Sequence, residues 1–199
     1  MTRFLLIRHG LTEHVGHVLS GRLPGVHLND AGRRQAEALA ERLAGLPIAA
    51  LYSSPLERAR ATAAPLARRL GQEVRIEDGL NEIDIGAWTG RRFAELHDDP
   101  LWQRFNRFRS GTRAPGGELM GEVQARMAAT LERLHARHPD DYVAVVSHAD
   151  PLRAVLLHYA GMPLDFFLRL EISPASVSVL DLHDHGAVIL RLNDSGALS

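Results

Sequence analysis

The apolar positions along the chain follow two rhythms. Short unbroken apolar runs, the mark of buried strands, alternate with stretches in which apolar residues return every three or four positions, as on an amphipathic helix. Phe4 to Ile7 predicts a first strand over residues 3–7. A Gly-containing loop over 11–28 follows. Asn29 or Asp30 then caps a helix with Leu39 and Leu43 on one face and Arg33, Arg34, Glu37 and Glu41 on the other. Gly45 and Pro47 end it. Residues 48–52 predict a second strand. Ser54, with Pro55 and Glu57 behind it, reads as a capping box that opens a helix to about Leu70, closed by Gly71. Val74 to Ile76 is a short third strand.

Between residues 78 and 121 the alternation breaks down. This part holds Trp88 and Trp102, with Leu101, Phe105 and Phe108 on one side of a short helix, and ends at Pro115-Gly116-Gly117. It reads as a helical lid inserted over the sheet. A helix over about 118–137 carries Val123, Met127, Leu131 and Leu134 at helical spacing. Tyr142 to Ser147 is a buried strand, and a helix over about 151–160 ends at Gly161. Val177–Leu182 and Val188–Leu192 form a terminal hairpin through Asp184-His185-Gly186. The last few residues are expected to fray. The pattern as a whole predicts an α/β fold over a single domain, residues 1–199. The expected architecture is a three-layer sandwich with a mostly parallel central sheet and helices on both faces.

Composition narrows the chemistry. The chain has 199 residues, no cysteine, and a net charge of −1. It therefore has no thiolate nucleophile or thiolate metal site, and no global field that would draw it to nucleic acid. All 23 basic residues are arginine. That excludes a Walker A lysine and a Schiff-base lysine, and suits bidentate grip on phosphate or carboxylate. No apolar stretch approaches the roughly 18 residues of a membrane span. With candidate site residues inside the first dozen positions, the N-terminus does not read as a signal peptide, and a cytoplasmic location is the expectation.

Three predicted strands end on chemistry. The first stops at Arg8-His9-Gly10, the second at Ser54 just before Arg58, and the strand at 142–147 at His148. If these strands are parallel neighbours, their carboxyl ends meet at one crevice, where α/β folds bind ligands. Two arginines, two histidines and helix N-termini there suit a dianionic phosphoryl group. A cation such as Arg58 in a first helical turn opposes the dipole by about 0.3–1 kcal/mol, so its placement asks for an anionic partner.

Several blocks carry a resemblance. They are Arg8-His9-Gly10 with Thr12, Ser53-Ser54-Pro55-Leu56-Glu57-Arg58-Ala59 with Thr62-Ala63, and Leu80-Asn81-Glu82 leading to Gly86-Ala87-Trp88-Thr89-Gly90. Pro115-Gly116-Gly117-Glu118 and Val146-Ser147-His148 complete the set. In this order they resemble the histidine phosphatase superfamily, in its phosphoglycerate-mutase-like branch. The resemblance implies that His9 attacks phosphorus through one ring nitrogen while a backbone carbonyl holds the other. It implies that Arg8, Arg58 and His148 clamp the phosphoryl oxygens, and that Glu82 protonates the leaving alkoxide and then activates water. No metal or other cofactor is called for. Two positions depart from the family pattern. Val15 stands where an asparagine is common, and Ala149-Asp150 follows the second histidine, which makes Asp150 a rival proton donor.

The expected function is hydrolysis of a small phosphorylated metabolite through a phosphohistidine. The alternatives are a bisphosphate-primed mutase and an inactive phosphate-binding module. His14 and His17 lie on the loop beside the crevice and are expected to face solvent. His183 and His185 suit a turn better than a metal. Arg104, Arg107, Arg109 and Arg113 are expected to lie on the solvated face of the inserted helix. The terminal strands offer an edge for a homodimer.

Overall fold

The computed structural model describes residues 1–196; the expected fraying of the last residues falls on 197–199, outside the described part. Six strands form one sheet: β1 (Thr2–Arg8), β2 (Ile48–Ser53), β3 (Val74–Ile76), β4 (Tyr142–Ser147), β5 (Val177–His183) and β6 (Gly186–Asp194). Their spatial order is β3-β2-β4-β1-β5-β6. β4 pairs in parallel with both β1 and β2, and β3 in parallel with β2. β5 runs antiparallel to both of its neighbours, β1 and β6.

Both faces of the central strands are apolar because both are covered. Leu5 and Ile7 of β1, with Leu51, Ala144 and Val146, pack under α1 (Asp30–Leu43) and α2 (Glu57–Leu70). Phe4 and Leu6, with Val143 and Val145, pack under α5 (Met120–Arg137) and α6 (Ala149–Tyr159). Met127, Leu131 and Leu134 supply the α5 face, as their spacing predicts. Each such fully buried aliphatic side chain contributes about 1.5–3 kcal/mol. These layers are the predicted three-layer sandwich. Asn29 caps α1, accepting from Gly32 N, and Gly71 closes α2 at φ 63°.

Residues 78–121 hold two 3₁₀ turns (Asp78–Leu80, Gly86–Trp88) and two short helices, α3 (Phe93–Leu96) and α4 (Pro100–Arg107). With α5 and α6 they close a third apolar cluster around Ile85, Trp88, Phe105 and Phe167. The buried side of α4 differs from the one expected. Phe105 is buried, but Leu101 and Phe108 stay 39% and 44% exposed. The helix stops at Arg107, so Phe108 leaves the helical register, and Trp102 instead stacks on Phe105 at 5.8 Å.

Candidate active site

Strand order assembles the crevice. β4 lies between β1 and β2, and the register sets Arg8 opposite Ser147 and Ser53 opposite Val146. The residues that follow these strands, His9, Ser54 and His148, thus leave the sheet side by side. The rings of His9 and His148 stand 5.1 Å apart, edge to face. Arg8, His9, Arg58 and Glu82 line one cleft of about 190 Å³ with Asp150 and Arg153.

His9 is 5% exposed. Its Nδ1 lies 2.8 Å from the Gly10 carbonyl oxygen. A carbonyl only accepts, so Nδ1 carries the proton and the lone pair sits on Nε2. Burial, then the charges of Arg58 and Arg8, holds the imidazole well below its ordinary range, so it is neutral at pH 7. The turn behind it is packed to contact. A Cβ on Gly10 would meet the Gly32 carbonyl oxygen at 2.8 Å, and one on Gly32 would meet the Leu11 oxygen at 2.0 Å. Only two glycines allow α1 this close to the turn, whose Gly10 N–H donates to Thr62 Oγ1 at 2.9 Å.

Arg8 donates from Nη1 to the Ile172 carbonyl, and Arg58 from Nη2 to the Gly21 carbonyl. Arg58 is 1% exposed. Arg8 Nε, Arg58 Nη1 and His148 Nδ1 are buried with no hydrogen-bond partner among the described residues. Burial depresses both guanidinium pKa values, since each charge sits away from water.

The structure corrects the role of Ser54. α2 starts at Glu57, two residues beyond the expected box, with Leu56 at its cap position and no side-chain cap. Glu57 accepts instead from Gly25 N in the loop over 11–28, at 3.1 Å. Ser54 Oγ lies 2.8 Å from His148 Nε2 and accepts from Leu56 N at 3.4 Å. The buried hydroxyl has no other acceptor among the described residues, so its proton is assigned to Nε2, which leaves the His148 proton on Nδ1, 3.8 Å from Glu82 Oε2. Burial, then the neighbouring Arg58, keeps His148 neutral.

Glu82 follows the Asp78–Leu80 turn. Its carboxyl is pushed up to about 7, first by burial and then by the charge of Asp150, against the pull of Arg58 and Arg8. Its backbone is braced by arginines that the sequence did not single out. Arg22 Nε donates to the Glu82 carbonyl at 2.8 Å, and Arg126 Nη1 to the Gly79 and Asn81 carbonyls, both at 2.8 Å. Glu118 holds both arginines and also accepts from Asp84 N.

Asp150 sits at the cleft mouth between two arginines, 3.5 Å from Arg109 and 3.4 Å from Arg153. Arg109 corrects the expectation of a solvated cation. It is 4% exposed, with its guanidinium 4.1 Å over the Phe105 ring and 4.5 Å over Phe167. Aromatic faces on both sides substitute for water. Arg153 was missed because an arginine on a helix carries no signal of its own. His17 is exposed, and His14 Nδ1 lies 3.0 Å from Ser20 Oγ, so neither lines the cleft. His183 and His185 are exposed, and among the described residues no three potential ligands cluster around a metal position. No helix among the described residues is long and apolar enough to cross a membrane.

Comparison with known proteins follows the same lines. The family model described as histidine phosphatase superfamily (branch 1) matches residues 4–195. A bifunctional protein of Mycobacterium tuberculosis is 39% identical over 203 residues, covering 99% of this chain and 55% of that protein. The chain thus spans about half the length of that relative. Phosphoserine phosphatase 1 of Hydrogenobacter thermophilus is 33% identical over 202 residues, covering 97% of this chain and 92% of that one. The solved structure of a mycobacterial glucosyl-3-phosphoglycerate phosphatase superposes with a TM-score of 0.87 at 29% identity, over 96% of this chain and 98% of that one.

Proposed function

We propose that this chain, which belongs to the histidine phosphatase superfamily, is a phosphomonoesterase acting on a small phosphorylated metabolite, with His9 as its nucleophile. One observation carries the reading. Three buried donors, Arg8 Nε, Arg58 Nη1 and His148 Nδ1, have no partner among the described residues, and they surround a histidine whose Nε2 lone pair is free. Unpaired buried donors are costly, by about 1–3 kcal/mol each. An anion with several acceptor oxygens offsets that cost, and a phosphoryl group has three.

In the first step Nε2 of His9 attacks phosphorus and the ester oxygen leaves. The developing charge on the equatorial oxygens falls to Arg8, Arg58 and His148. Glu82, protonated near neutrality, gives its proton to the departing alkoxide. In the second step the Glu82 carboxylate takes a proton from water as the water attacks the phosphohistidine, and His9 and phosphate are released. We assign the proton to Glu82 over Asp150, because both Asp150 carboxylate oxygens already accept from guanidinium groups, Oδ2 from Arg109 and Oδ1 from Arg153. Hydrolysis is favoured over the mutase by the named activities of the similar proteins, a phosphoserine phosphatase and a glucosyl-3-phosphoglycerate phosphatase. Residues 78–121 serve as an inserted wall of the one domain.

The test is rapid mixing with a ³²P-labelled monoester and a quench in alkali, which preserves phosphohistidine. Label is expected on His9, and His9→Ala is expected to carry none and to turn over nothing. Steady turnover with no label on any histidine refutes the covalent route.

A further inference from the structure

The two ends of the cleft differ in chemistry. The unpartnered cationic atoms among its lining residues belong to Arg8 and Arg58, at the floor. Its apolar wall is Val15, Val18, Leu19, Ile83, Ile85 and Phe93, with Thr12 and Ser20 beside them. That wall is held in place by backbone bonds between two long loops. Leu19 N donates to Arg91 O (2.9 Å), Gly90 N to Leu19 O (2.8 Å) and Phe93 N to His17 O (3.1 Å), and Val18 bridges to Arg92.

The charged part of the lining has its charges paired within the protein. Arg153 donates from Nε to the Leu170 carbonyl, from Nη1 to Asp150 and from Nη2 to Glu171. Asp150 accepts from Arg153 and from the buried Arg109. A carboxylate or second phosphate entering the mouth would have to compete with Asp150 and Glu171 for Arg153, or lie against Val15 and Phe93 stripped of water. Asp150 also repels it. An apolar group meets the wall at no such cost.

We propose that the leaving group is an uncharged alcohol with an apolar face, aryl or alkyl, and not one bearing a carboxylate or a second phosphate. The proposal rests on the phosphatase reading above and specifies which esters satisfy it. Val15 fits the same picture, since it adds a methyl-bearing surface to that wall.

The experiment compares kcat/KM for benzyl phosphate and n-hexyl phosphate with that for O-phospho-L-serine and 3-phosphoglycerate. All four leave as alkoxides, so differences in leaving ability stay small. The apolar esters are expected to be preferred at least tenfold. Phe93→Ala and Val18→Thr, the second nearly isosteric, are each expected to shrink that preference several-fold. If Phe93→Ala does not fold, Val18→Thr carries the test. A charged ester turned over as well as benzyl phosphate, dependent on His9, overturns this proposal and leaves the phosphatase reading standing. A preference that neither variant changes also overturns it. No turnover of any ester overturns the phosphatase reading, and this proposal with it.

Discussion

Replacing Glu82 with glutamine tests the site without reference to any substrate. In the folded protein its carboxyl is pushed up to about 7 by burial and by Asp150. In the unfolded chain it titrates near 4.5. Between these values the folded state keeps a proton that the unfolded state has released. Stability therefore falls as pH rises through this window, by up to about 1.4 kcal/mol per pH unit. The whole loss is about 3 kcal/mol, complete above pH 7, and fully absent below about pH 4. Glutamine does not titrate, and its Oε1 still accepts from Ile83 N, as Glu82 does at 2.9 Å. Wild type and Glu82→Gln should thus be nearly equal in stability at pH 4.5. By pH 8 the variant should be about 3 kcal/mol more stable, which for a chain of this size is about 6–12 °C in Tm. His9 and His148 act in the opposite sense. Their depressed values make the unfolded chain the better proton acceptor below about 6.5, so they cost stability as pH falls. Comparing the two proteins at each pH subtracts most of that term. Urea titrations in phosphate-free buffer at pH 4.5, 6, 7 and 8 make the measurement. Parallel stability curves across this range would refute the account of Glu82. The same variant should lose activity on alkyl phosphates about 100-fold or more, and much less on p-nitrophenyl phosphate, whose leaving group needs no proton.

Ser54→Ala removes the hydroxyl that keeps the His148 proton on Nδ1; kcat/KM should fall about tenfold, a cost of about 1.4 kcal/mol, with partial rescue by Ser54→Thr and urea stability changed far less than activity. Gly32→Ala forces α1 off the turn after His9, so urea melts should show a loss of about 2 kcal/mol or more, whereas Gly45→Ala, where a Cβ meets nothing within 4 Å, should stay within about 0.5 kcal/mol of wild type.

Periodicity exposed the layers because both faces of β1 and β4 are covered, which leaves an unbroken apolar run. The strand ends exposed Arg8, His9 and His148 for the same reason, since polar residues directly after a buried run stand out. Ser54 was misread because a serine before Pro55, with Glu57 two residues further, satisfies the local rule for a cap. A long-range partner, His148 across the crevice, takes the hydroxyl instead. Arg109 was misread because its neighbours in sequence are exposed arginines. Phe167, 58 residues later, supplies its second aromatic face, and no local pattern announces that. The Arg22–Glu118–Arg126 brace was invisible for the same reason, although Glu118 itself stood in a quoted block. Gly86 and Gly117 became intelligible only in three dimensions. A Cβ on Gly86 would strike the Pro115 carbonyl oxygen at 2.0 Å, and one on Gly117 the Asp84 oxygen at 2.2 Å.

The place of β4 between β1 and β2 has a consequence for how the molecule comes into being. During synthesis β1 and β2 emerge early with no bond between them, because the strand that joins them begins at Tyr142. Until then each presents an apolar strand with an open edge, the kind of surface that invites wrong pairing. Closing the gap brings together residues such as Arg3 and Tyr142, far apart along the chain, and long-range closures of this kind slow folding. The same event sets His148 beside His9. A nascent chain therefore holds no complete cleft: His148 joins Arg8 and His9 when the sheet closes.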